Sequence, residues 1–287
     1  MTPVLANPRS DRVKAVRRLA GRSARERAGL FLVEGPQAVR EAIDADERAS
    51  GTGSQEAFAG GIRDLYATPE GADRFSGMLD AARRLGHEPR IVTPAVLAAM
   101  TGDEGAVTPQ GVLAVCRLVG AGLAAALRDE PPLVAVLAGV QDPGNAGTVI
   151  RAADAAGAGA VLVTEGSVDV HNPKCVRSTA GSLFHLPIAT RVPLEQAITA
   201  LRRRGSRVLA ADGDGRTDLD DLADDGALAA PTAWIFGNEA NGLPPEALEL
   251  ADDVVRVPLY GRAESLNVAT AATVCLYATA RAQRKRV

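Results

Sequence analysis

The sequence predicts an α/β protein in two parts, and three observations predict it. Strand-like apolar runs alternate with helical periodicities along the chain, glycine-rich turns close the runs of the second half, and 287 residues exceed what one ordinary core needs. With 46% hydrophobic and 23% charged residues the composition is that of a globular chain rather than a disordered or fibrous one. Aromatic residues make up only 3%, so the core must be aliphatic. The longest apolar runs, 133–140 and the small-residue stretch 269–280, fall short of the ~18–20 residues that span a bilayer. The N-terminus turns basic at Arg9 with no apolar stretch behind it, so neither membrane insertion nor export is expected. The three cysteines, Cys116, Cys175 and Cys275, are far apart and odd in number, which fits a reducing cytoplasm and no metal site. His87, His171 and His185 are isolated and read as surface or satisfied core histidines.

Elements follow in order. Residues 11–20 form an amphipathic helix with Val13, Val16, Leu19 and Ala20 on one face. Residues 30–33 are a strand ended by Glu34-Gly35, and Pro36 opens a helix to about Ala45. The Gly/Ser-rich stretch 49–61 reads as a flexible loop. Strands near Leu65 and Ile91 flank a helix, and 111–118 is a last buried strand, completing a first domain at residues 1–118. The Ala/Gly-rich piece 119–132, ending in Pro131-Pro132, is the linker. A second domain, 133–287, carries strands at 133–140, 160–163, 184–189, 207–211, 233–236 and 254–257, with helices at 146–157, 173–180, 194–204 and 267–284. Regular alternation of this kind implies a mostly parallel sheet, whose ligands bind beyond the carboxyl ends of the strands.

Charge is unevenly spread. Net charge is −3, yet the first 28 residues carry eight basic side chains, among them Arg9, Arg12, Lys14, Arg17 and Arg18, against Asp11 and Glu26. Such an arm suits RNA phosphates, and a solvated helix face explains it equally well. Residues 212–225 hold seven aspartates. The Asp212-Gly-Asp-Gly start resembles a calcium loop, but Thr217 and Ala223 stand where Gly and Glu are needed, so it reads as an acidic surface turn.

Three post-strand loops concentrate the chemistry. In residues 140–151, Asn145 sits where a helix cap belongs, and Arg151 leans back over Gly147 toward the positive helix end, an arrangement for an anionic or alkoxide partner. An exposed arginine paired with Asp154 is the plain alternative. In residues 234–244, Gly237 lets a ligand approach the strand end, and Glu239 is a carboxylate that a tight turn does not need. In residues 255–272, Ser265 or Asn267 caps a long helix, which explains one of the two but not both. The Ala-rich face of that helix suits close packing on another helix, including one from a second subunit.

In order and separation these segments resemble the three signature motifs of the SpoU (TrmH) family of RNA ribose 2′-O-methyltransferases. Asn-x-Gly-x-x-x-Arg stands as Asn145 to Arg151, Gly-Asn-Glu-x-x-Gly as Gly237 to Gly242, and Pro-x-x-Gly-x-x-x-Ser-Leu-Asn-Val as Pro258 to Val268. The match covers residues 133–287, and residues 25–35 resemble a passage of the family's accessory L30e-like RNA-binding domain. The resemblance implies a SPOUT methyltransferase domain with a deep trefoil knot, a homodimer, and S-adenosyl-L-methionine held by backbone groups near Gly237, Val257, Leu259 and Leu266. Asn145, Arg151, Glu239, Ser265 and Asn267 would line the reacting ribose, with Arg151 as a cation stabilising the developing alkoxide, because arginine holds its proton up to a pKa above ~12. The separate domain and basic arm suit 23S ribosomal RNA, and the resemblance implies an antibiotic-resistance type, with a uridine as the considered target. Transfer RNA is the alternative substrate, and a non-catalytic RNA-binding protein or a small-molecule reductase the alternative classes. Binding of S-adenosyl-L-methionine separates the enzyme from the non-catalytic class, and nicotinamide binding without RNA dependence would mark the reductase. No Gly-x-Gly-x-x-Gly opens a helix after a strand, which weighs against an ordinary dinucleotide site.

Overall fold

The structure is a computed structural model that describes residues 4–52, 61–102, 110–238 and 242–284. It divides into two compact units: Met1–Val119 with His171–His185, and Gly120–Val170 with Leu186–Val287.

In the first unit the helix Asp11–Arg18 is capped by Ser10, whose hydroxyl accepts from Val13 N at 3.4 Å. Val13, Val16 and Leu19 are buried as the periodicity requires, whereas Ala20 lies past the helix end and is exposed. A helix at Arg22–Ala28, absent from the sequence reading, places Arg25 in the interior. Its guanidinium donates to Leu19 O (2.9 Å) and Ala20 O (2.6 Å), so one cation of the basic arm closes the end of the preceding helix instead of facing solvent. Strands β1 (Leu30–Glu34), β2 (Ile62–Ala67), β3 (Arg90–Ile91) and β4 (Val112–Arg117) form a sheet in the order β1-β4-β2-β3. β4 runs antiparallel to both neighbours, and β3 runs parallel to β2.

The helix opened by Pro36 extends to Thr52, past the expected end at Ala45 and into the expected loop, of which 53–60 lie outside the described residues. Two helices, Pro69–Arg74 and Ser76–Arg84, replace the single one expected between β2 and β3. Gly71 has no alternative: a Cβ there would sit 2.2 Å from Gly111 O. The helix Pro173–Thr179 packs on β1, where Arg177 pairs with Glu34 at 3.1 Å. All three histidines have partners: His87 with Asp46 (2.6 Å), His171 with Val119 O (2.9 Å) and His185 with Glu41 (2.9 Å). Among the described residues no cluster of metal-ligating side chains occurs. Nor, among them, is any helix long and apolar enough to cross a membrane.

The second unit is a seven-stranded sheet built from β5 (Leu133–Leu137), β6 (Ala160–Thr164), β7 (Ile188–Val192), β8 (Arg207–Ala211), β9 (Thr217–Asp218), β10 (Thr232–Phe236) and β11 (Asp253–Arg256). The order is β7-β6-β5-β10-β8-β11-β9, with every neighbouring pair parallel. The strand expected at 184–189 begins only at Ile188, because Ser182–Phe184 closes into a 3-10 turn that apolar content alone does not reveal. The acidic stretch contains β9 and a helix, Leu219–Asp224, and a further helix spans Pro245–Leu250; neither helix was expected. Trp234 is fully buried, stacks on Phe236 at 6.4 Å between centroids, and donates Nε1–H to Thr279 Oγ1 at 2.9 Å. Thr279 lies on the helix Val268–Arg284, whose small residues Ala269, Ala272 and Cys275 are buried and which packs on the helix Pro143–Ala156. The small-residue face therefore has its partner within the chain.

Candidate active site

In the parallel register Phe236 of β10 stands opposite both Leu137 of β5 and Ala211 of β8. The loops that leave these strands and β11 therefore start from one edge of the sheet. The sequence reading put Asn145 at the cap of the first helix; the structure gives that place to Asp142, whose carboxylate accepts from Asn145 N at 2.8 Å. The reason is Pro143: its fixed φ and missing N–H suit the first helical position, so the residue before it becomes the cap. Asn145, released from capping, accepts on Oδ1 from Asn267 Nδ2 at 3.1 Å, joining residues 122 positions apart. Asn267, and not Ser265, caps the helix Val268–Arg284, its Oδ1 accepting from Ala269 N at 2.9 Å. The two side-chain atoms of Asn267 thus do separate jobs.

Next to this pair lies a cavity of about 630 Å³. Gly237, Val257, Leu259, Ser265, Leu266 and Asn267 all line it. Gly237 is required sterically, since a Cβ would fall 2.6 Å from the carbonyl of Gly242 and 2.8 Å from Leu243 Cγ. Asn238 and Gly242 exchange two backbone hydrogen bonds of 2.9 Å, and Asn238 Nδ2 donates to Gly139 O at 3.0 Å, which ties the β10 loop to the β5 loop. Glu239, between them, lies outside the described residues.

Arg151 is exposed on the third turn of the helix Pro143–Ala156 and does not line the cavity. It has no ion pair with Asp154 or any other described residue, so the plain alternative for it does not hold among them. Of the basic arm, Arg9, Arg12, Lys14, Arg17 and Arg18 are all exposed on or beside the helix Asp11–Arg18, and Arg12 pairs with Asp64 at 3.3 Å.

Sequence reasoning missed the cavity's charged wall: Asp212, Asp218, Arg256 and Glu264. Arg256 pairs with Asp218 at 3.3 Å, and the Tyr260 hydroxyl donates to Asp220. That bond to a carboxylate raises the Tyr260 pKa above the usual 10.0. Position at the carboxyl end of β8 was the available signal for Asp212, because that edge is where parallel sheets hold ligands. The cavity offers apolar faces in Phe236, Val257 and Leu266, close backbone approach at Gly237, and carboxylates at its wall, a donor set that fits a nucleoside carrying an amino acid side chain with a cationic amine.

Residues 132–277 match the model of the SpoU rRNA Methylase family, and residues 10–114 that of the MRM3-like substrate binding domain. The chain is 32% identical over 273 residues to the 23S rRNA (guanosine(2553)-2′-O)-methyltransferase RlmP of Bacillus subtilis, covering 95% of this chain and 97% of that one. It is 31% identical over 300 residues to the 23S rRNA (uridine(2479)-2′-O)-methyltransferase of Streptomyces viridochromogenes, covering 96% of each. Among solved structures, the AdoMet-bound rRNA methyltransferase from Sinorhizobium meliloti superposes with a TM-score of 0.78 at 28% identity over 97% of both chains. The SpoU methyltransferase AviRb from Streptomyces viridochromogenes with AdoMet superposes with a TM-score of 0.77 at 30% identity, over 96% of this chain and 99% of that one.

Proposed function

The chain belongs to the SpoU rRNA methylase family, and from that membership we propose that it transfers a methyl group from S-adenosyl-L-methionine to a ribose 2′-hydroxyl of RNA, with 23S ribosomal RNA as substrate. The observation that carries the reading is the Asn267–Asn145 hydrogen bond beside the cavity lined by Gly237, Val257, Leu259 and Leu266. Two motifs far apart in sequence meet there, and the third supplies the cavity's wall.

In this reading the backbone around Gly237, Val257, Leu259 and Leu266 holds the cofactor. When bound, the cofactor supplies an electrophilic methyl group on a sulfonium. The protein has to align an oxygen behind that methyl and keep water away. Asn145 and Asn267 hold each other and fix the wall on which the ribose rests. Ser265 adds a hydroxyl at that wall, and Glu239 a carboxylate assigned from its motif position. Arg151 is assigned the charge work: a guanidinium that keeps its proton stabilises the alkoxide as the hydroxyl loses its own. Arg9, Arg12, Lys14, Arg17 and Arg18 are assigned to RNA phosphates, Arg12 and Lys14 in exchange for their contacts with Asp64 and Asp11.

The finer parts of the reading are a trefoil knot in the second unit, a homodimer, a cytoplasmic site of action, and methylation that confers antibiotic resistance. The dimer is supported by Val274 and Tyr277, which are 39% and 49% exposed on the helix Val268–Arg284. The three free, buried cysteines suit a reducing compartment. Calorimetry with S-adenosyl-L-methionine, followed by transfer of labelled methyl to 23S ribosomal RNA and to transfer RNA and mapping of reverse-transcription stops, tests the function. No cofactor binding, or methyl found on bases, would overturn it. Light scattering of the purified chain tests the dimer.

A further inference from the structure

A second cavity, of about 570 Å³, opens at the carboxyl ends of β5, β6 and β10. Asn238 and Gly242 line both cavities. The broad faces of the second are apolar: Leu194, Leu243, Pro244 and Pro245. Its other polar side chains are engaged, since Thr164 Oγ1 meets Gly139 N at 3.3 Å and Asn238 Nδ2 meets Gly139 O at 3.0 Å. Glu165 is the one ionisable residue among its described walls. The Glu165 backbone is fixed, its N–H donating to Val192 O at 3.2 Å, while its carboxylate has no hydrogen bond or ion pair among the described residues. A solvated glutamate is ordinary on an open surface. Here the exposed Glu165 lines an open, mostly apolar cavity that shares Asn238 and Gly242 with the candidate cofactor cavity.

We propose that this second cavity takes a guanine base of the RNA substrate, with the Glu165 carboxylate accepting from its N1–H and N2–H₂ groups. The proposal rests on the methyltransferase reading above and gives its substrate a base identity. RNA-binding proteins read unstacked bases by holding them between apolar faces and bonding to their pairing edges. A carboxylate is acceptor-only and takes two parallel donors. Of the four RNA bases, guanine alone presents two adjacent donors on its pairing edge; adenine, cytosine and uracil each place an acceptor beside their donor. The cavity therefore selects guanine by what it leaves unpaired in the others.

The test uses the full chain and its backbone amide spectrum during titration with guanosine, inosine, adenosine and uridine monophosphates, with S-adenosyl-L-methionine binding measured by calorimetry on the same samples. Guanosine monophosphate should shift the resonances of Gly139, Leu194 and Leu243. Inosine monophosphate, which lacks the 2-amino group, should bind there roughly tenfold more weakly or worse. Glu165→Gln and Glu165→Ala should abolish the preference for guanosine over inosine. Equal affinity for the two, stronger binding of the uridine or adenosine nucleotide, an unchanged preference in Glu165→Gln, or no shift at those residues overturns the proposal. Cofactor binding in those same samples shows that the methyltransferase reading survives such a result; loss of cofactor binding by the unmodified chain is the failure of that reading instead.

Discussion

Asn267 donates Nδ2–H to Asn145 Oδ1 at 3.1 Å while its own Oδ1 accepts from Ala269 N at 2.9 Å. One side chain thereby both starts the last helix and joins it to the first loop of the sheet, and the two contacts can be separated by substitution. Asn267→Asp keeps the capping oxygen and removes the donor, so thermal stability should stay close to that of the unmodified chain while methyl transfer falls at least tenfold. Asn267→Ala should lose the cap as well, about 1 kcal/mol, with a lower melting temperature. Equal turnover in Asn267→Asp would remove the pair from the mechanism.

Arg151 is the assigned charge-stabilising group. Arg151→Ala and Arg151→Lys should each lower kcat by about 10²–10³, the range found when a preorganised donor to a developing oxyanion is removed. Calorimetric affinity for S-adenosyl-L-methionine should hardly change, because Arg151 does not line the cavity. Near-normal kcat in both variants assigns the proton chemistry elsewhere.

Gly237→Ala places a methyl group 2.6 Å from the Gly242 carbonyl, which the backbone can relieve only by moving the β10 loop. Affinity for the cofactor should drop at least tenfold with the circular dichroism spectrum retained. Unaltered affinity would mean that the cavity at Gly237 is not where the cofactor sits.

Trp234 is the chain's single tryptophan, so its fluorescence reports on the second unit alone. Thr279→Val keeps the shape of the side chain but leaves the buried Nε1–H without its acceptor, at a cost of about 1–3 kcal/mol. The urea midpoint of the fluorescence transition should fall accordingly. An unchanged midpoint would show that the indole finds another partner.

Burial pushes the Cys275 thiol up to about 12 from an ordinary 9.0, and burial likewise raises the Cys116 thiol. A pKa raised in the folded state means that the folded chain holds the proton more tightly than the unfolded one. The contribution is therefore complete below pH 9 and is lost as pH rises toward 12. Urea midpoints measured across that interval should decline, and less steeply in Cys275→Ala. Identical slopes would assign the decline to other groups.

Much of the second unit was legible because its signals are local and strong. Aliphatic runs ending in a glycine or proline, and two polar residues, Ser265 and Asn267, competing for one cap, drew attention to the loops that hold Asn145, Gly237 and Asn267. The capping error at Asn145 shows where local signals compete: Asp142 and Asn145 are both good caps, and Pro143 decides between them. Arg22–Ala28 was invisible because its residues are charged or small, and its one buried side chain is an arginine whose burial depends on carbonyls from the preceding helix. For Asp212 and Asp218 the sequence shows charge, which suits a solvated turn, but not which strand end stands beside it. Glu165 gave no signal at all, because its neighbours in the cavity come from residues 138 to 245.

The assignment of His171–His185 to the first unit makes that unit discontinuous in sequence, so the backbone passes between the units at three points: after Val119, after Val170 and after His185. A chimera cut once at residue 119 would carry off β1 without the helix Pro173–Thr179 that covers it, and Glu34 without Arg177. Transplanting the first unit onto another second unit therefore requires moving two pieces of gene together, and recombination that respects this has to exchange an internal cassette along with the amino-terminal one.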